Sequence, residues 1–299
     1  MITYVDLDKK TVDWKKDLWP EENPFEVLVD RKDDEEISLA NYRYKSTKGD
    51  PKAVIMLLHG YGSWTGKYGY YAKYFADQGY DVLGYDYRGF GKTEGQSGHI
   101  ASWEQHMSDA WTYFDIVKEE YKETSIIGCG YSLGGGTSYC MAIERPDAFR
   151  ALMQIAPFAG YHIGKHPYQA AANTIAKFYP ALSVCPPLRN PVPHMVHYYD
   201  DPLQVVAGST AASLVALDIC QKTIQANVDK LTVDMHVTIG DEENVVSRVE
   251  CQKITKEAPA IVKEYYEWPG VNHYIINDGI YMEDIIRNQL DFLERILKE

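Results

Sequence analysis

The chain lacks an excess of positive charge. Its 299 residues carry 30 Lys and Arg against 43 Asp and Glu, a formal net charge of -13. Phosphate binding needs a basic face, so nucleic acid is not an expected partner. Electrostatic docking on anionic lipid is disfavoured for the same reason. Apolar contact with a lipid is untouched by that argument. Long apolar runs are also missing, and none approaches the roughly 20 residues that span a bilayer. The first residues, Met1-Ile2-Thr3-Tyr4-Val5-Asp6, do not follow the basic-then-apolar order of a signal peptide. Cysteine is scarce. Cys129, Cys140, Cys185, Cys220 and Cys251 make an odd set, with no pair at CxxC spacing. Reduced thiols are expected, rather than a disulfide framework or a metal site. The expected setting is cytoplasmic, with no transmembrane segment.

What is present is an ordinary globular composition, 45% hydrophobic and 24% charged, with length enough for a large core. Residues 1–24 are polar and end in a Pro-containing turn, which predicts a short surface extension. Phe25–Val29 and Ile37–Tyr44 read as an antiparallel hairpin. Then Ala53–Leu58 is continuously apolar, as in strands buried on both faces of a parallel sheet. Similar runs recur at Val82–Tyr85, Ser125–Cys129, Ala151–Ile155 and Met235–Ile239. Between them lie helical patterns. From Trp103 to Tyr121 the apolar residues share one helical face, and Met282–Leu297 is another amphipathic segment. The alternation predicts an α/β fold: a mostly parallel sheet with helices on both faces.

One stretch breaks the alternation. Residues 158–227 are rich in proline and hold two helical segments, near Gln169–Phe178 and Ser209–Ile224. That is too long for a plain loop. It predicts an inserted helical cap, with residues 25–157 and 228–299 as the core.

Three segments carry chemistry. Gly130-Tyr131-Ser132-Leu133-Gly134 is a GxSxG pentapeptide between a buried strand and a helix of small residues. In that setting a serine sits on a sharp, strained turn that exposes its hydroxyl. Ser132 is the expected nucleophile. His59-Gly60-Tyr61-Gly62 follows the first buried strand. A turn there can aim the Tyr61 N–H at a developing oxyanion, with the Leu133 N–H as second donor. His59 is expected to be structural. So are Asp86 and Arg88, through local hydrogen bonds that fix the turn 86–91. A nucleophilic serine needs a base, and the base an orienting acid, in the chain order Ser, acid, His. His273 is the one histidine after Gly240, so it is the base by elimination. Asp241 and Glu243, on the turn after the strand at 235–239, both offer a carboxylate.

These segments give the chain a resemblance to the monoacylglycerol lipase group of α/β-hydrolases, which includes lysophospholipase-like proteins and serine aminopeptidases. It resembles that group from about residue 25 onwards. The 59–62 turn, the 86–91 turn with Thr93-Glu94-Gly95, the Ser132 elbow, Tyr179–Val184, Asp201-Pro202-Leu203 and Lys230–Val233 carry the likeness. The group usually places aspartate three residues after the glycine that ends the acid strand. Here that position is Glu243, followed by Asn244-Val245-Val246 as its pattern expects. The resemblance therefore implies Ser132, Glu243 and His273, with Asp241 as the alternative acid and Tyr61 and Leu133 as oxyanion donors.

The expected activity is ester hydrolysis through an acyl-enzyme, without metal or cofactor. The expected substrate is a small-molecule ester or lipid, such as a monoacylglycerol or lysophospholipid. Alternatives on the same scaffold are a small-ester or aminopeptidase-type hydrolase, or a ligand-binding shell without turnover. The apolar cap residues are compatible with transient peripheral membrane contact. Substrate-binding residues and oligomeric state are not legible.

Overall fold

Each buried apolar run forms a strand. The computed structural model describes residues 19, 21–30, 36–162, 164, 166–184, 201–205, 208–276 and 281–298. The central strands are β5 (Val54–Leu58), β6 (Asp81–Tyr85), β7 (Ile126–Tyr131), β8 (Ala151–Ile155) and β9 (Asp234–Gly240). Every residue of β5 to β8 is buried. β1 (Glu21–Glu22), β4 (Asn41–Tyr44) and β10 (Lys263–Trp268) complete the sheet. Its order is β1-β4-β6-β5-β7-β8-β9-β10. β1 and β4 run antiparallel to their neighbours, and all other pairs are parallel. The expected hairpin is shorter than the sequence predicts: β2 (Leu28–Asp30) pairs antiparallel with β3 (Glu36–Ser38), while Asn41–Tyr44 joins the main sheet as β4. The chain has the α/β-hydrolase fold.

Helices cover both faces. α1 (Gly69–Ala76) and α7 (Met282–Ile296) lie together on one. On the other pack α2 (Trp103–Tyr121), α3 (Leu133–Glu144), α5 (Ala211–Ala226) and α6 (Arg248–Glu257). α2 starts where the Ser102 hydroxyl accepts the Gln105 N–H, a helix N-cap. The chain winds from β5 to β6 on one side and to β7 on the other. The crevice where that order reverses lies at the carboxyl ends of β5 and β7. His59 follows the first of these strands and Ser132 the second.

Between β8 and β9 lie α4 (Gln169–Ile175) and α5. The carboxyl half of α5 belongs to the main core, which takes in Ala216, Leu217, Cys220 and Ile224. Its first turn packs with α4 in a small cluster of Ala172, Ala211 and Leu214. One helix thus bridges the insertion and the core.

Residues 1–18 and 20 of the expected extension, and Cys185 with Pro186, Pro187, Pro191 and Pro193, lie outside the described residues. Trp19 and Glu21–Glu22 are not surface appendages. Trp19 is buried and donates its indole N–H to the Thr65 carbonyl (3.0 Å), and Glu21–Glu22 is the edge strand β1. An indole buries a large apolar area and still needs a partner for its N–H; the rings of Tyr42 and Tyr44 pack against it and the Thr65 carbonyl takes the N–H.

Candidate active site

The geometry begins with the elbow. Ser132 has φ 52° and ψ -115°, a left-handed backbone that costs a non-glycine residue energy. Hydrogen bonds on both sides hold it there. Its N–H donates to the Ile155 carbonyl (3.0 Å), and its carbonyl accepts the Phe158 N–H (2.8 Å). The flanking glycines answer to packing. A Cβ on Gly134 would lie 1.9 Å from the Leu58 carbonyl oxygen, and one on Gly130 would lie 2.5 Å from the Gly134 oxygen. Both positions exclude a side chain if α3 is to start directly after Ser132.

Three residues distant in sequence meet at this point. His273 Nε2 lies 3.0 Å from Ser132 Oγ, and His273 Nδ1 lies 2.8 Å from Glu243 Oε2. All three are buried. The other oxygen of Glu243 accepts the N–H groups of Val245 (2.7 Å) and Val246 (3.0 Å). Burial alone would raise the pKa of this carboxyl. The charge and hydrogen bond of His273, and the two N–H groups, outweigh it and leave the pKa below the ordinary glutamate value. With Glu243 ionised, Nδ1 carries the proton, and Nε2 faces Ser132 as an acceptor.

Asp241 stays outside this line. It is exposed, and its Oδ1 accepts the Gly270 N–H (2.8 Å), tying the acid turn to the histidine loop. Gly240 permits that approach, since a Cβ there would lie 2.1 Å from the Val271 oxygen. The longer glutamate side chain reaches from the turn to His273 while its second oxygen takes two backbone N–H groups.

Leu133 is the first residue of α3, where helix geometry offers its N–H no carbonyl. The 59–62 turn lies against the elbow: a Cβ on Gly60 would be 3.3 Å from Ser132 Cβ. The Tyr61 hydroxyl is turned away to the Gly98 carbonyl. His59 is fully buried and stacks on Tyr87, with ring centroids 3.8 Å apart. Its Nε2 accepts the Tyr87 N–H (3.1 Å), so Nδ1 carries a proton to the Gly60 carbonyl (2.8 Å). Burial pushes its pKa down to about 3, so it is neutral at working pH. His59 joins two loops.

Asp86 is fully buried and accepts from the Thr65 N–H (2.7 Å), the Lys92 N–H (2.9 Å) and the Tyr42 hydroxyl (2.8 Å). Arg88 differs from expectation. It makes a two-pronged pair with Asp109 of α2 (2.6 and 2.9 Å), not a bond within its own turn. A guanidinium fork matches a carboxylate better than a single turn carbonyl.

Tyr131 also has a part that the pattern does not announce. Its hydroxyl donates to the His273 carbonyl (2.9 Å), and its ring stacks on the imidazole at 5.5 Å. The variable position of GxSxG thus braces the histidine loop. Among the described residues, no cluster of His, Cys, Asp or Glu could hold a metal ion, and no helix is long and apolar enough to cross a membrane. Cys129, Cys140, Cys220 and Cys251 are buried free thiols.

Residues 49–279 match the family model for serine aminopeptidase, S33. The chain belongs to that family. A monoacylglycerol lipase of Mycolicibacterium smegmatis is 26% identical over 77% of this chain and 84% of its own length. Mouse monoglyceride lipase is 30% identical over a shorter stretch, 38% of each chain. The crystal structure of Paleococcus ferrophilus monoacylglycerol lipase covers 87% of this chain and 99% of that one, with a TM-score of 0.76 and 20% identity. The matched stretch spans the loops that hold Ser132, Glu243 and His273.

Proposed function

We propose that the protein is a serine hydrolase that cleaves carboxylic esters of lipids, of the monoacylglycerol or lysophospholipid kind. The observation that carries the reading is the buried hydrogen-bonded line from Ser132 through His273 to Glu243. Ser132 Oγ attacks the ester carbonyl while its proton passes to His273 Nε2. The carbonyl oxygen becomes an oxyanion, held by the Tyr61 and Leu133 N–H groups. A donor of this kind is worth about 3 kcal/mol in the transition state. Glu243 holds the tautomer of His273 and stabilises its cation. The intermediate collapses, and the leaving alcohol takes the proton from His273. Water then attacks the acyl-enzyme, giving its proton to His273, and the fatty acid leaves with Ser132 restored.

Residues 158–227 act as a cap over this site. Exposed apolar side chains support acyl-chain or lipid contact there: Phe178 is 74% exposed, Tyr179 69% and Leu182 52%. Exposed apolar residues of this kind suit transient, peripheral contact with a lipid aggregate. A peptidase reading on the same triad is favoured by the family's description as aminopeptidases. The relatives named for monoacylglycerol favour the ester.

The test is fatty-acid release from a long-chain monoacylglycerol, beside an aminoacyl nitroanilide. Release that disappears in Ser132→Ala supports the proposal. Cleavage of the nitroanilide alone by the folded wild type overturns it.

A further inference from the structure

The loop that supplies Tyr61 is gripped from two sides. On the core side, the Thr65 N–H donates to Asp86 Oδ1 (2.7 Å) and the Thr65 hydroxyl to the Tyr85 carbonyl (2.7 Å). On the other side stands the segment 201–205, which comes from the insertion. The Gly62 carbonyl accepts the Val205 N–H (2.8 Å) and the Gln204 side-chain amide. Gln204 Oε1 in turn accepts from Lys67 Nζ (3.0 Å). Asp201 Oδ2 accepts the Trp64 indole N–H (2.7 Å) and lies 3.6 Å from Lys67 Nζ. Asp201 Oδ1 accepts the Leu203 N–H (3.0 Å), which folds the segment back on itself.

All four side chains are buried: Trp64, Lys67, Asp201 and Gln204 are each at most 5% exposed. A cation and a carboxylate taken from water this completely are weak evidence for stability. They are better evidence for one required arrangement, because every misregistration leaves a buried charge or amide unpaired. The packing is equally specific. Trp64 lies over Gly66, where a Cβ would come 2.1 Å from the indole ring.

The grip falls on the element that sets the Tyr61 N–H. Gly60 to Ser63 form a turn closed by the Ser63 N–H to the Gly60 carbonyl (3.1 Å), with Gly62 at φ 82°. With glycine at the left-handed position, the peptides of such a turn can reorient at little steric cost. The Gly62 carbonyl lies in the same turn as the Tyr61 N–H, and two donors on it fix the exit of the segment that carries that N–H.

We propose that Gln204 and Asp201 are positioning residues for the oxyanion loop, so that the insertion holds the catalytic apparatus as well as covering substrate. The proposal rests on Ser132 as nucleophile and the Tyr61 N–H as oxyanion donor. A misplacement near 1 Å at a reacting centre costs about a hundredfold. Partial release of one peptide is expected to cost about tenfold in kcat.

The experiment compares Gln204→Met and Gln204→Glu with the wild type on p-nitrophenyl acetate and p-nitrophenyl decanoate. Gln204→Glu keeps an acceptor for Lys67 and loses the donor to Gly62. Near-UV circular dichroism selects folded variants, and a short alkyl trifluoromethyl ketone supplies a tetrahedral-adduct inhibitor. The expected result is an equal fall in kcat on both esters, with KM within about twofold. The inhibition constant of the ketone rises by the same factor as kcat/KM falls. The proposal is overturned if acetate turnover and ketone binding are unchanged and only the KM for decanoate moves. Segment 201–205 would then shape the acyl site alone. A wild type that cleaves neither ester removes the hydrolase reading and this proposal with it.

Discussion

The loops at the ends of β7, β9 and β10 and the insertion between β8 and β9 obey different rules. In the first region each residue of the triad is buried and held by further hydrogen bonds: Ser132 through its main chain, Glu243 through the N–H groups of Val245 and Val246, His273 through its carbonyl, which accepts the Tyr131 hydroxyl. In the second, Phe178, Tyr179 and Leu182 stand in solvent, and α4 buries little beyond Ala172. Chemistry needs atoms fixed to a few tenths of an ångström, and burial with redundant hydrogen bonds supplies that. Contact with an acyl chain needs area, and area tolerates variation. The insertion departs from its own rule at Asp201–Val205, where it touches the oxyanion loop and becomes buried and bonded like the first region.

The largest effect expected from this contrast is at Ser132. Ser132→Ala is expected to lower kcat by about 10⁶-fold, as loss of a nucleophile does in a serine protease. Steady-state ester hydrolysis measures it. Next is the acid. Glu243→Gln, which leaves His273 in the wrong tautomer, is expected to cost about 10⁴-fold in kcat. Asp241→Asn is expected to change it by less than about threefold, because its exposed carboxylate accepts the Gly270 N–H and lies outside the line from Ser132 to Glu243. Equal losses in the two variants would erase the distinction between a bonded triad and its surroundings.

These two carboxylates show what the sequence can and cannot convey. The strand runs and the glycines around Ser132 are legible because local sterics dictate them, and the order Ser, acid, His because the resemblance to a known fold implies it. Gly134 must be glycine since Leu58 leaves no space, and that constraint appears in the string of letters. The choice of Glu243 over Asp241 depends on reach across a folded turn, and spacing alone leaves both open. The pairs Lys67–Asp201, Trp64–Asp201 and Arg88–Asp109 are hidden for a related reason. Partners up to 137 residues apart carry no local signature, and charged residues usually signal a solvated face. Tyr131 is hidden by a motif that calls its position variable.

A smaller effect tests where the insertion meets the core. Burial pushes Lys67 down to about 8, against the pull of Asp201 and below its ordinary value of 10.5. Between those values the unfolded chain binds more protons than the folded one, so stability rises with pH. From pH 8 to pH 10 the wild type is expected to gain about 2 kcal/mol relative to Lys67→Met. Urea unfolding at the two pH values checks it, and parallel curves would place Lys67 in contact with water. The smallest effect lies at the exposed face. The double variant Phe178→Ser and Leu182→Ser is expected to raise KM for a long-chain ester about fivefold, with little change for acetate. Its unfolding free energy is expected to stay within about 0.5 kcal/mol per site.

The central claim is that Ser132 is activated by His273, which Glu243 orients. The most direct measurement is covalent labelling with a fluorophosphonate, with the adduct located by peptide mass spectrometry. The account predicts one adduct, on Ser132, whose rate of formation collapses in His273→Ala and Glu243→Gln and persists in Asp241→Asn. A folded wild type that resists the reagent, or carries the adduct on another residue, would contradict it.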